Sequence, residues 1–148
     1  MALNQIFDIA GSGMAAQSIR LNTTASNLAN ADTASATEEG AYRARKPVFS
    51  AIQQQLLENS GRGKVMDANQ ERGVGVEVRG IVQSDEAVER RYQPNHPLAN
   101  EDGYVFYSNV NTVEEMADMM SASRSFQNNV EVMNAAKSMM QRILTLGQ

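Results

Sequence analysis

The 148-residue sequence has no cysteine, no tryptophan and a single histidine. Without cysteine there can be no disulfide and no thiolate metal site, and one histidine removes most other zinc arrangements. The compartment stays open, because such a chain tolerates either redox environment. A basic excess is also missing: 13 Lys and Arg stand against 17 Asp and Glu, for a net charge of −4. A protein that displaces counterions from a phosphate backbone needs the opposite balance, so no nucleic-acid partner is expected. No apolar run approaches the roughly 20 residues that span a bilayer. The N-terminus lacks a basic start followed by an apolar block, which predicts no cleaved secretory signal. The length suits one domain, or one small domain with extended arms.

Two helical ends are present. Leu3, Phe7, Ala10, Met14, Gln17, Leu21, Thr24 and Leu28 alternate steps of four and three, the spacing of a narrow seam facing a partner helix. Before Asp32 the only charges are Asp8 and Arg20. Neutral amides and hydroxyls on the remaining face suit a surface desolvated against other chains, whereas an ordinary solvated face is charged. Gly11, Gly13, Ser18, Asn22, Thr23, Thr24 and Ser26 are mediocre or poor helix formers, so this helix is marginal alone and orders on packing. A core helix of a small bundle fits the same pattern, and both readings stay open at this point.

The C-terminal helix is better specified. Thr112 and Glu115 match a capping box. Glu114, Glu115 and Asp118 complement the positive end of the helix dipole, and Lys137 and Arg142 its negative end. The expected stripe is Met116, Met119, Ser123, Phe126, Val130, Met133, Lys137, Met140 and Leu144, read as helical core. From Thr112 to Leu146 such a helix is about 50 Å long, longer than the roughly 38 Å diameter of a compact domain of this size. The terminal seams are therefore expected to pair with each other.

The fold predicted is mainly α: an elongated, antiparallel, coiled-coil-like pair of N- and C-terminal helices around a small β-containing or irregular middle. The expected boundaries are residues 1–31, 32–108 and 109–148. In the middle, Val74–Ile81 alternates like a strand and Tyr104–Tyr107 is a second one. Residues 31–40 read as a loop, Tyr42–Ile52 stays ambiguous around Pro47, and Glu58–Gly73 reads as a hairpin tip.

No catalytic constellation emerges, and no cofactor is implied. Asp85, Glu86, Glu89, Glu101 and Asp102 read as solvated turns, since acid–base work needs carboxyls held apart in a cleft with different pKa values. His96, between Pro94 and Pro97, reads as a structural loop histidine. Gly61-Arg62-Gly63-Lys64 lacks the spacing of a phosphate loop. Tyr42-Arg43-Ala44-Arg45-Lys46 and Arg90-Arg91-Tyr92 mix cations with aromatics and are assigned to contacts with acidic loops of other subunits.

Ser26-Asn27-Leu28-Ala29-Asn30-Ala31-Asp32-Thr33, followed by Tyr42-Arg43, resembles the signature that closes the N-terminal helix of bacterial flagellar rod and hook proteins. Pro94-Asn95-His96-Pro97, Gly103-Tyr104-Val105, Asn109-Val110-Asn111, Val113-Glu114-Glu115-Met116, residues 121–132 and Asn134-Ala135-Ala136-Lys137 narrow the resemblance to proteins of the proximal rod. It implies a structural subunit of the basal-body driveshaft, exported unfolded by the flagellar type III apparatus and polymerising helically in the periplasm. The implied partners are copies of itself, the export apparatus, and rod proteins of the FlgB, FlgF, FlgG and FliE types. Leu3, Phe7, Leu21 and Leu28 are expected to pack with Met116, Met119, Phe126, Val130, Met133, Met140 and Leu144, along the chain and across subunits. Two other classes remain: a non-polymerising adaptor or chaperone of the export system, which would also show paired helices, and a wall hydrolase, which would require an acidic catalytic residue among Glu86, Glu89 and Glu101.

Overall fold

A computed structural model describes residues 2–53 and 74–146. Helices α1 (Ala2–Ala29) and α2 (Thr112–Leu146) form the ends, and between them lie β1 (Ala34–Ser35), β2 (Arg45–Gln53), β3 (Val74–Gln83), β4 (Glu89–Tyr92) and β5 (Tyr104–Tyr107). The architecture is thus two terminal helices with a small antiparallel β middle, mixed helix and strand where the sequence suggested a mainly helical chain. The segment expected as a hairpin tip, Glu58–Gly73, lies outside the described residues.

Helix α1 ends without a glycine. The Asn30 side chain donates to the Ser26 carbonyl at 2.8 Å, and the Asn30 and Ala31 backbone N–H groups close tight turns onto Ser26, Asn27 and Leu28. These bonds satisfy carbonyls that a helix end leaves without partners. Helix α2 begins differently from the expected capping box. Asn111 is the cap: its Oδ1 accepts from the Val113 N–H at 3.1 Å, and its carbonyl accepts the first helical bond from Glu115. Thr112 is already helical. The Glu115 carboxylate is engaged elsewhere, by Asn27 at 2.9 Å, so it does not fold back on the cap.

The two helices run antiparallel along each other. Asn27 meets Glu115, Arg20 meets Asp118, and Gly13 lies against Asn129. A Cβ at Gly13 would stand 2.8 Å from the Asn129 side-chain nitrogen, so a larger residue there would have to displace that side chain. The buried positions on α2 are Glu115, Ala122 and Ala136, each seven residues or a multiple of seven from the next. One flank of the expected stripe is therefore shifted by one residue from Met116, Ser123 and Lys137. Small side chains set that register, because close packing at Ala122 and Ala136 leaves no room for the larger neighbours. On α1 the buried residues are Ala10, Ala16, Thr23, Thr24 and Asn27, of which Ala10 and Thr24 belong to the expected stripe.

Strands β2 and β3 pair antiparallel from Arg45–Gln83 to Gln53–Val74, with an irregularity between Val48 and Phe49. Arg79 is the extra residue, a bulge of the kind that bends an exposed ribbon. Pro47 sits inside β2; a two-stranded ribbon has only edge strands, where a missing N–H is tolerated. The ribbon lies on α1, where the Val76 N–H donates to Ser12 Oγ at 3.2 Å. The other sheet has the order β1-β5-β4, with Val105 on its central strand fully buried. Neither β1 nor β4 was expected. Gly103 precedes β5 with a φ of +79°, a left-handed conformation that only glycine adopts cheaply, and a Cβ there would meet the Tyr92 ring at 2.9 Å.

Candidate assembly site at the helix pair

The signature residues at the end of α1 form one hydrogen-bonded junction centred on Asn27, which is 1% exposed. Its Nδ2 donates to the Arg45 carbonyl at 2.8 Å and to Glu115 Oε1 at 2.9 Å. Its Oδ1 accepts from the Arg45 N–H at 2.9 Å and from the Tyr42 hydroxyl at 3.0 Å. All four bonding positions of the amide are filled. One side chain thereby ties α1 to the start of β2 and to the first turn of α2. Around it, Ser26 Oγ lies 3.3 Å from the Tyr42 hydroxyl, and Thr33 Oγ1 donates to the Asn30 carbonyl at 2.7 Å. Arg43 lies 3.8 Å from Glu38, while Ala29 is exposed and takes no part.

The motif around Asn109 works in the same way. Asn109 Oδ1 accepts from the Ala44 N–H at 2.7 Å, and its Nδ2 donates to the Glu86 carbonyl at 2.9 Å. Asn109 thus joins the approach to β2 to the approach to β4, and Asn111 two residues on caps α2. Sequence reasoning singled out these asparagines only as a resemblance. Their chemistry depends on partners far away in the chain, 88 residues in the case of Asn27 and Glu115.

Burial raises the Glu115 carboxyl above its ordinary value of 4.5, a shift the Asn27 hydrogen bond and Lys46 oppose and the neighbouring Asp118 and Glu114 reinforce. A carboxyl whose pKa is higher in the fold than in the unfolded chain adds stability below the unfolded value, and that contribution is lost as pH rises through the folded one. Glu115→Gln keeps an acceptor for Asn27 and removes the buried charge. It is expected to raise the thermal midpoint at pH 7, with the difference from the parent chain vanishing below about pH 4.5. A variant that lost stability at neutral pH would show that the charge itself holds the junction.

Beside the junction, Arg20 and Asp118 pair across the helices, and Lys46 reaches Glu114 at 3.1 Å. The second pair is more than half exposed on both sides and is worth about 0–1 kcal/mol. The cations assigned to contacts with other subunits already have partners within the chain. Arg45 lies over Tyr42 at 5.5 Å, and Arg90 and Arg91 lie over Tyr104 and Tyr107 at 4.6 Å each. Glu89 takes two 2.8 Å bonds from Arg91, which hold its carboxyl below the ordinary range. Asp85, Glu86, Glu101 and Asp102 are exposed. His96 Nδ1 accepts from the Leu98 N–H at 3.1 Å, a local turn contact.

The apolar seam is incomplete in the single chain. Among the described residues the buried apolar set is Ala10, Ala16, Ala31, Ala41, Ala44, Ala122, Ala136 and Val105. Phe7, Leu21, Leu28, Met119, Phe126, Val130, Met133 and Met140 are only half-buried, and Met116 and Leu144 are exposed. The Leu3 side chain lies outside the described residues. Met116 stands about 120° round α2 from Ala122 at 3.6 residues per turn. It shares an outward face with Val113 and Met120, which are 74% and 61% exposed. Single-seam reasoning missed this face, although Val113, Met116 and Met120 recur at helical spacing in the sequence.

Two family models match this chain, one at each end. Residues 7–37 match the family model described as "Flagella basal body rod protein", and residues 101–146 match "Flagellar basal body rod FlgEFG protein C-terminal". The chain is 47% identical over 148 residues to the flagellar basal-body rod protein FlgC of Salmonella typhimurium, covering 100% of both chains. It is 46% identical over 149 residues to that of Yersinia enterocolitica, again with 100% of both covered. Identity to the Bacillus subtilis protein of the same name is 35% over 153 residues, covering 95% of each.

Proposed function

The chain belongs to the FlgC family of flagellar basal-body rod proteins and is a structural rod subunit, not an enzyme; from that premise we propose that its two helices complete their apolar packing only against other copies. The observation that carries this reading is the contrast between an alanine-dominated core and large side chains left uncovered on both helices. Burying a Leu, Met or Phe contributes about 1.5–3 kcal/mol, and alanine far less. A large share of the energy available to fix the helix pair is therefore unrealised in the isolated chain.

In the proposed assembly, residues 1–31 and 109–148 form the wall of a helical tube. Phe7, Leu21 and Leu28 meet Met119, Phe126, Val130, Met133 and Met140 in a coiled-coil-like seam along the chain, which neighbouring copies finish. Leu3, Met116 and Leu144 join contacts between copies. Heterologous contacts of this kind propagate as an open helix. Residues 32–108 face outward and meet other rod proteins, those of the FlgB, FlgF, FlgG and FliE types. The subunit reaches the periplasm unfolded through the flagellar type III apparatus. Among the described residues no helix is long and apolar enough to cross a membrane.

A poorly propagating α1 suits such a route, since it stays labile until burial offsets its chain entropy. Amide hydrogens of residues 4–22, on the part of α1 remote from the Asn27 junction, are expected to exchange rapidly in the dilute chain and slowly in isolated basal bodies, read by mass spectrometry. Equal protection in both states would remove ordering on assembly from the proposal.

A further inference from the structure

The chain's only sulfur is in nine methionines, and there is no thiol or indole to intercept an oxidant. On α2 these methionines divide by access. Met116, Met120 and Met139 are 52%, 61% and 54% exposed, whereas Met119, Met133 and Met140 are half-buried against the rest of the chain. Met116 and Met120 are four residues apart and share their face with Val113 and Ala117, and the first charge on that face is Arg124. No other part of the described chain covers it.

We propose that Met116 and Met120 are the sites on α2 at which oxidation controls assembly, and that converting them to sulfoxides before incorporation blocks it. The reaction requires a two-electron oxidant such as hydrogen peroxide. A thioether lone pair attacks one peroxide oxygen, the O–O bond breaks, and that oxygen stays on sulfur. The sulfur is oxidised by two electrons and the peroxide leaves as water. Rate follows access to the thioether, so the outward pair reacts before the seam methionines. The product is a strong hydrogen-bond acceptor on a stretch, Val113 to Met120, whose side chains on that face are all apolar. Met139 is equally accessible but sits on a different side of α2, about 100° from the Met120 face at 3.6 residues per turn. Its oxidation is therefore a marker of exposure and not of assembly. This inference rests on the proposed packing of Met116 between copies.

The test has two arms. The purified full-length chain is pulsed with hydrogen peroxide and sulfoxides are located by fragment-ion mass spectrometry. Met116, Met120 and Met139 are expected to oxidise several-fold faster than Met119, Met133 and Met140, and uniform rates would overturn the site assignment. In the second arm, a strain lacking its own copy of the subunit is complemented with M116Q/M120Q, which carries a polar amide in place of each sulfoxide, with M116L/M120L, or with M139Q. Loss of swimming with the Gln pair, and retention with the Leu pair and with M139Q, supports the proposal. Normal swimming with the Gln pair overturns it and leaves the rod assignment intact, as does loss with the Leu pair, which would make shape and not polarity decisive. Failure of the unmodified chain to complement would instead count against the rod reading itself.

Discussion

Asn27→Ala is expected to cost about 3–5 kcal/mol of folding stability, because it leaves several polar groups without partners at once. The Arg45 N–H and carbonyl, the Tyr42 hydroxyl and one Glu115 oxygen all lose the amide that satisfies them. Each such group costs about 1–3 kcal/mol when buried, and water entering beside the half-exposed Tyr42 recovers part of the sum. Against a total stability of about 5–15 kcal/mol for a typical domain, this loss is large. Asn27→Asp sharpens the test. The aspartate still accepts from Arg45 and Tyr42, but its second oxygen faces the Glu115 carboxylate, where the amide nitrogen now donates. That variant is expected to be less stable than the parent at pH 7 and to recover as both carboxyls take up protons. Chemical denaturation across pH measures both effects. A loss under about 1 kcal/mol for Asn27→Ala would mean that the junction is better hydrated, and less needed, than its geometry implies.

Phe126→Asp is expected to abolish rod assembly and motility while the chain is still made and exported. Phe126 lies one turn from Ala122 on the seam side of α2, with its ring half-buried in the single chain. Covering the rest of the ring by a neighbouring copy contributes a share of the roughly 1.5–3 kcal/mol available to a buried phenylalanine. A carboxylate there loses that term and adds the cost of removing a charge from water, several kcal/mol when no partner is supplied. In the proposed assembly every subunit repeats the contact, so the penalty would recur at each addition. Phe126→Leu preserves apolar bulk and is expected to swim. Swimming assays and counts of rods in isolated basal bodies read the outcome, and normal swimming by the aspartate variant would remove Phe126 from the interface.

Much of the two helices is legible in the sequence alone. The residues of α2 carry an apolar period without Gly or Pro over their whole length, so local and tertiary preferences agree. Its span, Thr112–Leu146, is as expected and only its cap differs, because Asn111 and Thr112 are both competent caps, and only Asn27, far away in sequence, decides where Glu115 points. The shift from Met116 to Glu115 has the same origin. Period alone ranks a methionine above a glutamate for burial, whereas the fold buries the group with a hydrogen-bond partner. Strands β3 and β5 alternate or cluster apolar residues and were legible. Strand β4 is wholly exposed and rich in charge; it pairs because β5 offers Tyr104 and Tyr107 as platforms for Arg90 and Arg91. No local signal records such a cross-strand opportunity. Pro47 hid β2, since the edge position that excuses a proline is a property of the sheet and not of the segment.

The junction at Asn27 also divides the helix pair mechanically. Its bonds are directional and short, so sliding α1 along α2 strains the Asn27–Glu115 bond, and moving α1 against the start of β2 strains the other three. Toward the other end of α2, the half-buried side chains include Met133 and Met140, flexible thioethers that re-seat with little penalty. Torsion applied to a shaft built from such pairs would be resisted where the helices meet the β segment and absorbed near the chain termini, giving each subunit one stiff end and one compliant end.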